Sequence, residues 1–156
     1  MRNLESLLSQ YGESHMNATN KLIHWVCVPA IMFSLFTLLF SIPFFTERTF
    51  LANWAMVVLL LALLYYARLS MIMFVGFVVI GLLMIWGINQ LYAASGFNAG
   101  KLALYGVIIF VVAWIGQFIG HKIEGKKPSF LQDMQFLLIG PAWLLSFIFK
   151  KVGIQY

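Results

Sequence analysis

The chain has 156 residues, of which 62% are hydrophobic and only 10% charged, whereas a water-soluble domain carries about a quarter charged residues and about half apolar ones. Its formal charge of +5 does not mark a nucleic-acid binder, because the Lys and Arg residues are scattered in gaps between apolar runs and never interleave with aromatics. That placement suits anionic lipid headgroups. One cysteine, Cys27, excludes a disulfide framework and a thiolate zinc cluster.

In chain order, residues 1–15 read as a short amphipathic or interfacial segment, with Leu4, Leu7, Leu8 and Tyr11 on one side of a helix and Gly12 weakening its end. This polar start has the wrong order for a cleavable signal peptide, so the first apolar helix is expected to remain in the mature protein. Asn17 is the expected cap of a span over 18–42 that contains Pro29 and stops at Pro43. A second span is expected over 51–67, ended by Arg68, a third over 69–94, and a fourth over 101–121 after a turn containing Gly96 and Asn98. The charged loop 122–128 leads into a last apolar segment, 130–149, broken by Gly140-Pro141 and so either kinked or re-entrant. The expected fold class is an all-α polytopic integral membrane helical bundle, four full spans plus this C-terminal segment, forming one membrane domain over 1–156.

Counting basic residues gives the orientation. If the last segment crosses, Arg2, Lys21, Arg68, Lys122, Lys126 and Lys127 stand on the N-terminal side, six against the four of Arg48, Lys101, Lys150 and Lys151. If it turns back, the ratio becomes eight to two. Both place the N-terminus in the cytoplasm, with the protein in the inner membrane of a bacterium or the endoplasmic reticulum membrane of a eukaryote.

All three histidines fall near boundaries on that one side. Asn17, Asn20 and His24 follow a spacing of three then four and share a helix face. His15 joins them only if the chain bends near Asn17. Gln117, His121 and Glu124 are stacked by a spacing of four then three, with Trp114 three residues before, directly after the apolar run 107–115. Polar groups at that depth are costly unless partnered, and they define a functional-site hypothesis.

Three imidazoles and a carboxylate are ligand types for non-haem ferrous iron or zinc, and a carboxylate with open coordination positions favours iron and oxygen chemistry over a closed zinc site. No HExxH motif is present. The single aspartate, Asp133, has no context for nucleophilic catalysis. Gly116, Gly120 and Gly125 lie at helix-like intervals and read as close-packing positions rather than a phosphate loop. A non-enzymatic membrane protein that binds lipid or assists assembly is the alternative, whereas a channel or transporter lacks the repeated half expected of one.

With these residues in view, the chain resembles the membrane 2-hydroxy fatty acid dioxygenase family, whose fungal member in the endoplasmic reticulum acts in phytosphingosine breakdown. The similarity rests on Tyr11-Gly-Glu-Ser-His15, Asn17, Asn20, His24 and Pro29, then Trp114-Ile-Gly-Gln-Phe-Ile-Gly-His121, Glu124 and Pro128. It implies an Fe2+-dependent dioxygenase that uses dioxygen to convert a long-chain 2-hydroxy fatty acid into the acid one carbon shorter. His15, His24, His121 and Glu124 are then the expected metal and catalytic residues. Asn17, Asn20, Gln117 and Lys122 are expected around them, supporting the ligands or the substrate, with Lys21 and Lys126 further cations for an acidic headgroup.

Overall fold

The computed structural model describes residues 4–13, 15–125 and 136–156, and the regular elements among them are all helices. They are α1 (Leu4–Gly12), α2 (Ala18–Ser41), α3 (Trp54–Leu69), α4 (Met71–Ala94), α5 (Ala99–Ile123) and α6 (Ile139–Lys151). Three of them, α2, α4 and α5, are long and apolar enough to cross a membrane. The protein is an all-α, membrane-associated bundle. At 16 residues, α3 is about 24 Å long at 1.5 Å per residue, shorter than the roughly 30 Å hydrocarbon core.

Each of the four central helices begins on a side-chain cap that satisfies amide groups the helix cannot. Asn17 accepts from the Thr19 and Asn20 amides at 2.9 and 3.3 Å, and Asn53 from Met56 at 2.8 Å. Ser70 accepts from Met73 at 3.3 Å and Asn98 from Lys101 at 2.9 Å. Caps, rather than charges, therefore set the boundaries. The break between the second and third apolar runs falls at Ser70, which closes α3 and opens α4, while Arg68 is an exposed residue of the last turn of α3.

The Gly140-Pro141 pair also differs from expectation. It does not interrupt a helix midway; it occupies the first turn of α6, where an amide has no intrahelical acceptor and proline costs nothing. The 13 residues of α6 span only about 20 Å. The expected part of this segment at 130–135, Asp133, and the loop residues Lys126, Lys127 and Pro128 lie outside the described residues.

The most extensive pairing is between α2 and α5, and missing side chains make it possible. A Cβ on Gly116 would sit 2.5 Å from Cys27 Sγ, and one on Gly120 would overlap Asn20 Oδ1. These two glycines pack as expected, in the small-residue manner of membrane helices. Gly125 does not: it has φ +74° with open space around its Cα, so it serves the turn after α5 through left-handed backbone. Elsewhere Tyr66 stacks on Phe77 at 3.8 Å and donates its hydroxyl to the Leu138 carbonyl at 2.6 Å. This ties α3, α4 and the residues before α6 together. At the far end Arg48 donates to Tyr92 Oη at 3.0 Å and to the Ser41 carbonyl at 3.2 Å.

Gly120→Leu is expected to destabilise the bundle by at least about 1–3 kcal/mol through overpacking, more than the roughly 1 kcal/mol gained in helix propensity on leaving glycine. Thermal unfolding of the detergent-solubilised protein should show a lowered midpoint; an unchanged midpoint means that the helices are not this close.

Candidate metal centre

Three segments far apart in sequence bring their histidines to one point. Tyr11 lies in the last turn of α1, where the chain folds over as the His15 amide donates to the Gly12 carbonyl at 2.9 Å. Asn17 then starts α2 in a new direction. This is the bend that lets His15 meet His24, one and a half turns into α2. His121 arrives from the last turn of α5. Ring centroids are 4.2 Å apart for His15 and His24, 5.2 Å for His24 and His121, and 5.6 Å for His15 and His121. All three are buried.

Hydrogen bonds settle two tautomers. His15 Nδ1 lies 2.7 Å from the Tyr11 carbonyl and His24 Nδ1 lies 2.9 Å from the Asn20 carbonyl. A carbonyl only accepts, so both Nδ1 atoms carry the proton and both Nε2 atoms keep a lone pair. This is how metal-binding imidazoles are commonly oriented. One nitrogen from each histidine falls within 4.8 Å of the others. Atoms sharing one ion at about 2.1 Å are at most about 4.2 Å apart, so small side-chain rotations bring the cluster to bonding distance. Neutral imidazoles suit iron, zinc, copper and nickel, and the donor set fits a transition metal.

Glu124 lies at the end of α5, and the hydrogen bonds of its carboxylate run to the α1–α2 connection. Its carboxylate accepts from the Met16 amide at 2.8 Å, the Asn17 amide at 3.0 and 3.1 Å, and Asn20 Nδ2 at 2.9 Å. It thereby clamps the end of α5 to the start of α2, and with it the segment that carries His15. Partial burial pulls the Glu124 pKa up, but the hydrogen bonds from Asn20, Asn17 and Met16 outweigh this and hold it below its ordinary value. The clamp is thus fully formed above the usual carboxylate range and loosens as pH falls through the lowered value.

The other expected residues divide by depth. Asn20 is fully buried and joins Glu124 to His24, whereas Asn17 is an exposed cap. Gln117 is 7% exposed, and its Oε1 has no hydrogen-bond partner among the described residues. Lys122 is exposed on the last turn of α5. Lys21 lines an open cleft of about 460 Å³ together with His15, Trp143 and Lys150. Across the cluster, a narrow space of about 30 Å³ is bordered by Tyr11, Trp114, Gln117 and Gly140.

Two aromatic walls escaped the sequence reading. Tyr11 stacks on His15 at 4.3 Å with an interplanar angle of 15°, and Trp143 lies 5.2 Å from it. The signal for Tyr11 was its place four residues before His15. Trp143 carries none, because it reaches the site through the packing of α6 on α1, where Gly140 makes room for the Tyr11 hydroxyl.

A buried three-imidazole cluster at one end of a membrane-associated helical bundle defines a membrane protein with a candidate transition-metal centre. The family model described as "Mpo1-like: 2-hydroxy-palmitic acid dioxygenase Mpo1-like" matches residues 1–152, and the chain belongs to that family. The 2-hydroxy-palmitic acid dioxygenase MPO1 of Saccharomyces cerevisiae is 25% identical over 150 residues, which cover 94% of this chain and 80% of the yeast protein. No solved structure matches the chain. Family and cluster together support a metal-dependent enzymatic activity.

Glu124→Ala removes the shared acceptor of the Met16 and Asn17 amides and Asn20, and is expected to weaken metal binding about 10- to 100-fold, as loss of ligand-supporting groups does. Titration of purified protein with a divalent metal checks this. Hydrogen exchange at residues 15–17 should rise in the variant, and in the native protein the protection of these amides relative to a free peptide should fall as pH drops below the ordinary carboxylate value of 4.5.

Proposed function

We propose that the protein is an Fe2+-dependent dioxygenase that converts a long-chain 2-hydroxy fatty acid into the fatty acid one carbon shorter. The observation that carries this reading is the convergence of three buried imidazoles beside an open cleft, in a chain of the dioxygenase family. The reaction balances without an external reductant: a 2-hydroxy acid and dioxygen yield the shorter acid, carbon dioxide and water. Iron, when bound, supplies the redox chemistry that couples dioxygen to carbon–carbon bond cleavage.

The chain's own groups do the rest. His15, His24 and His121 hold the metal as neutral imidazoles, and the Tyr11 and Asn20 carbonyls fix two of the rings by accepting their Nδ1 protons. Glu124 is a positioning residue in this arrangement, holding the three contributing segments in register. His15, His24 and His121 would be the protein's three ligands to that iron. Lys21 and Lys150 are the cations of the cleft, which Glu5 and Glu13 also line, while Tyr11 and Trp143 pack against His15 and shield it from water.

Parity supports four crossings. His24 near the start of α2 and His121 at the end of α5 lie at one depth, so the chain makes an even number of crossings from α2 through α5. With α2, α4 and α5 crossing, α3 crosses as well, its shortness met by local thinning or by its flanking residues. Lys150 at the end of α6 shares a cleft with Lys21 at the start of α2. That pairing favours a re-entrant path for the last segment and the eight-to-two distribution of basic residues, with a cytoplasmic N-terminus.

Two measurements test the reading. Elemental analysis after anaerobic reconstitution should give near-stoichiometric iron in the native protein and a loss of at least about tenfold in His121→Ala, with its helical circular dichroism retained. Mass spectrometry should show a 2-hydroxy fatty acid consumed and the acid one carbon shorter formed. No iron retention, or a His121→Ala variant with full turnover, overturns the assignment.

A further inference from the structure

The face of α2 that presents His24 to the metal centre does not end there. Val28 and Met32 follow at intervals of four, then Leu35, Phe36 and Leu39, which keeps all of them on one stripe of the helix. That stripe borders successive cavities. Val28 and Met32 line the narrow space beside Tyr11 and Gln117, and Met32, Leu35, Phe36 and Leu39 line a cavity of about 360 Å³. The larger cavity, partly open to the outside, is lined by residues of α2, α3 and α4 and by Leu137 and Leu138. Its lining side chains are hydrocarbon and aromatic but for the Tyr66 hydroxyl, which is occupied in the bond to Leu138.

We infer that this cavity is the binding site for the acyl tail of the substrate, entered from the metal centre past Gln117 and Met32, and that its far end sets chain length. The inference rests on the oxygenase reading for the identity of the substrate, and on the cavity itself for where the tail lies. Three observations carry it. Met32 and Leu137 border both the narrow space and the large cavity, so the two adjoin. Gln117 stands at the boundary with a buried Oε1 that has no partner among the described residues, suited to accept from the 2-hydroxyl, while the cavity beyond it is lined by apolar side chains and Tyr66. The 15 residue steps from His24 to Leu39 rise about 22 Å, more than the roughly 15 Å of one leaflet's share of the hydrocarbon core. A tail long enough to be a membrane lipid therefore fills the path, whereas a short one leaves much of it empty.

Ala62 is the small residue on the α3 wall of the cavity, and enlarging it shortens the space without touching the metal centre. Ala62→Phe, with Ala62→Leu as the milder variant, is to be assayed against a series of 2-hydroxy fatty acids of increasing length. The expected result is a preference shifted to shorter chains: KM for the longest acid raised at least about tenfold and KM for the shortest unchanged. An unchanged length profile in a folded variant overturns the inference. An independent readout uses a saturated long-chain fatty acid bearing a photoreactive diazirine at its terminal carbon, crosslinked to the detergent-solubilised native protein and mapped by peptide mass spectrometry. Labelling at Leu35, Leu39, Ala62 or Gly81 supports the tail site, even if no 2-hydroxy acid is turned over and the oxygenase reading falls. Labelling confined to the outward-facing Leu60, Leu61 and Leu64 overturns the tail site, even if turnover is observed.

Discussion

Where α5 passes the start of α2 it presents hydrogen atoms instead of side chains. Gly116 and Gly120 bring the α5 backbone against Cys27 and Asn20, and the distance so fixed governs every other polar contact at that end of the molecule. One residue after Gly120 comes His121, and three further on comes Glu124, whose carboxylate then lies within reach of the Asn20 amide and the α1–α2 connection. A side chain at position 120 lengthens all of these together. Apolar residues attract no better to each other than to lipid tails, so the helix pair depends on such close fit and on internal hydrogen bonds.

The same constraint explains the distribution of polarity. Long stretches of α3, α4 and α5 expose leucine, valine and isoleucine, as a lipid-facing surface requires. The buried polar residues collect in few places. Those around His15 and His24 are knitted together through main-chain carbonyls and amides. Arg48 serves the opposite end, bridging Tyr92 and the last carbonyl of α2 while lying over the Phe40 and Tyr92 rings.

Much of this was legible in the order of residues, and the failures have physical causes. Apolar run lengths located α2 to α5 because backbone polar groups in lipid have no solution but the helix. Asn17 and Asn98 were readable as caps or turns because their side chains replace a missing turn of backbone. Ser70 was hidden because a charged neighbour, Arg68, offered a louder boundary signal, although charge at a helix end is tolerated where a cap is needed. Gly140-Pro141 looked like an interruption because local sequence cannot tell a helix start from a helix break. The three histidines could be placed at one depth by counting crossings, but the work done by Glu124 could not be foreseen. Its partners are main-chain amides more than a hundred positions away, and amides are present in every residue. Trp143 was invisible for the same kind of reason, since α6 meets α1 through a tertiary contact that leaves no periodicity.

The span of sequence between the ligating side chains has a bearing on biosynthesis. His15 leaves the ribosome early and His121 follows 106 residues later, after the intervening hydrophobic segments have been handed to the bilayer. Nothing resembling the finished centre exists on the nascent chain until α5 docks against α2. Insertion and maturation are consequently separate events. The half-made protein holds His15 and His24 without His121, and the three imidazoles converge only when the last long helix has reached its place.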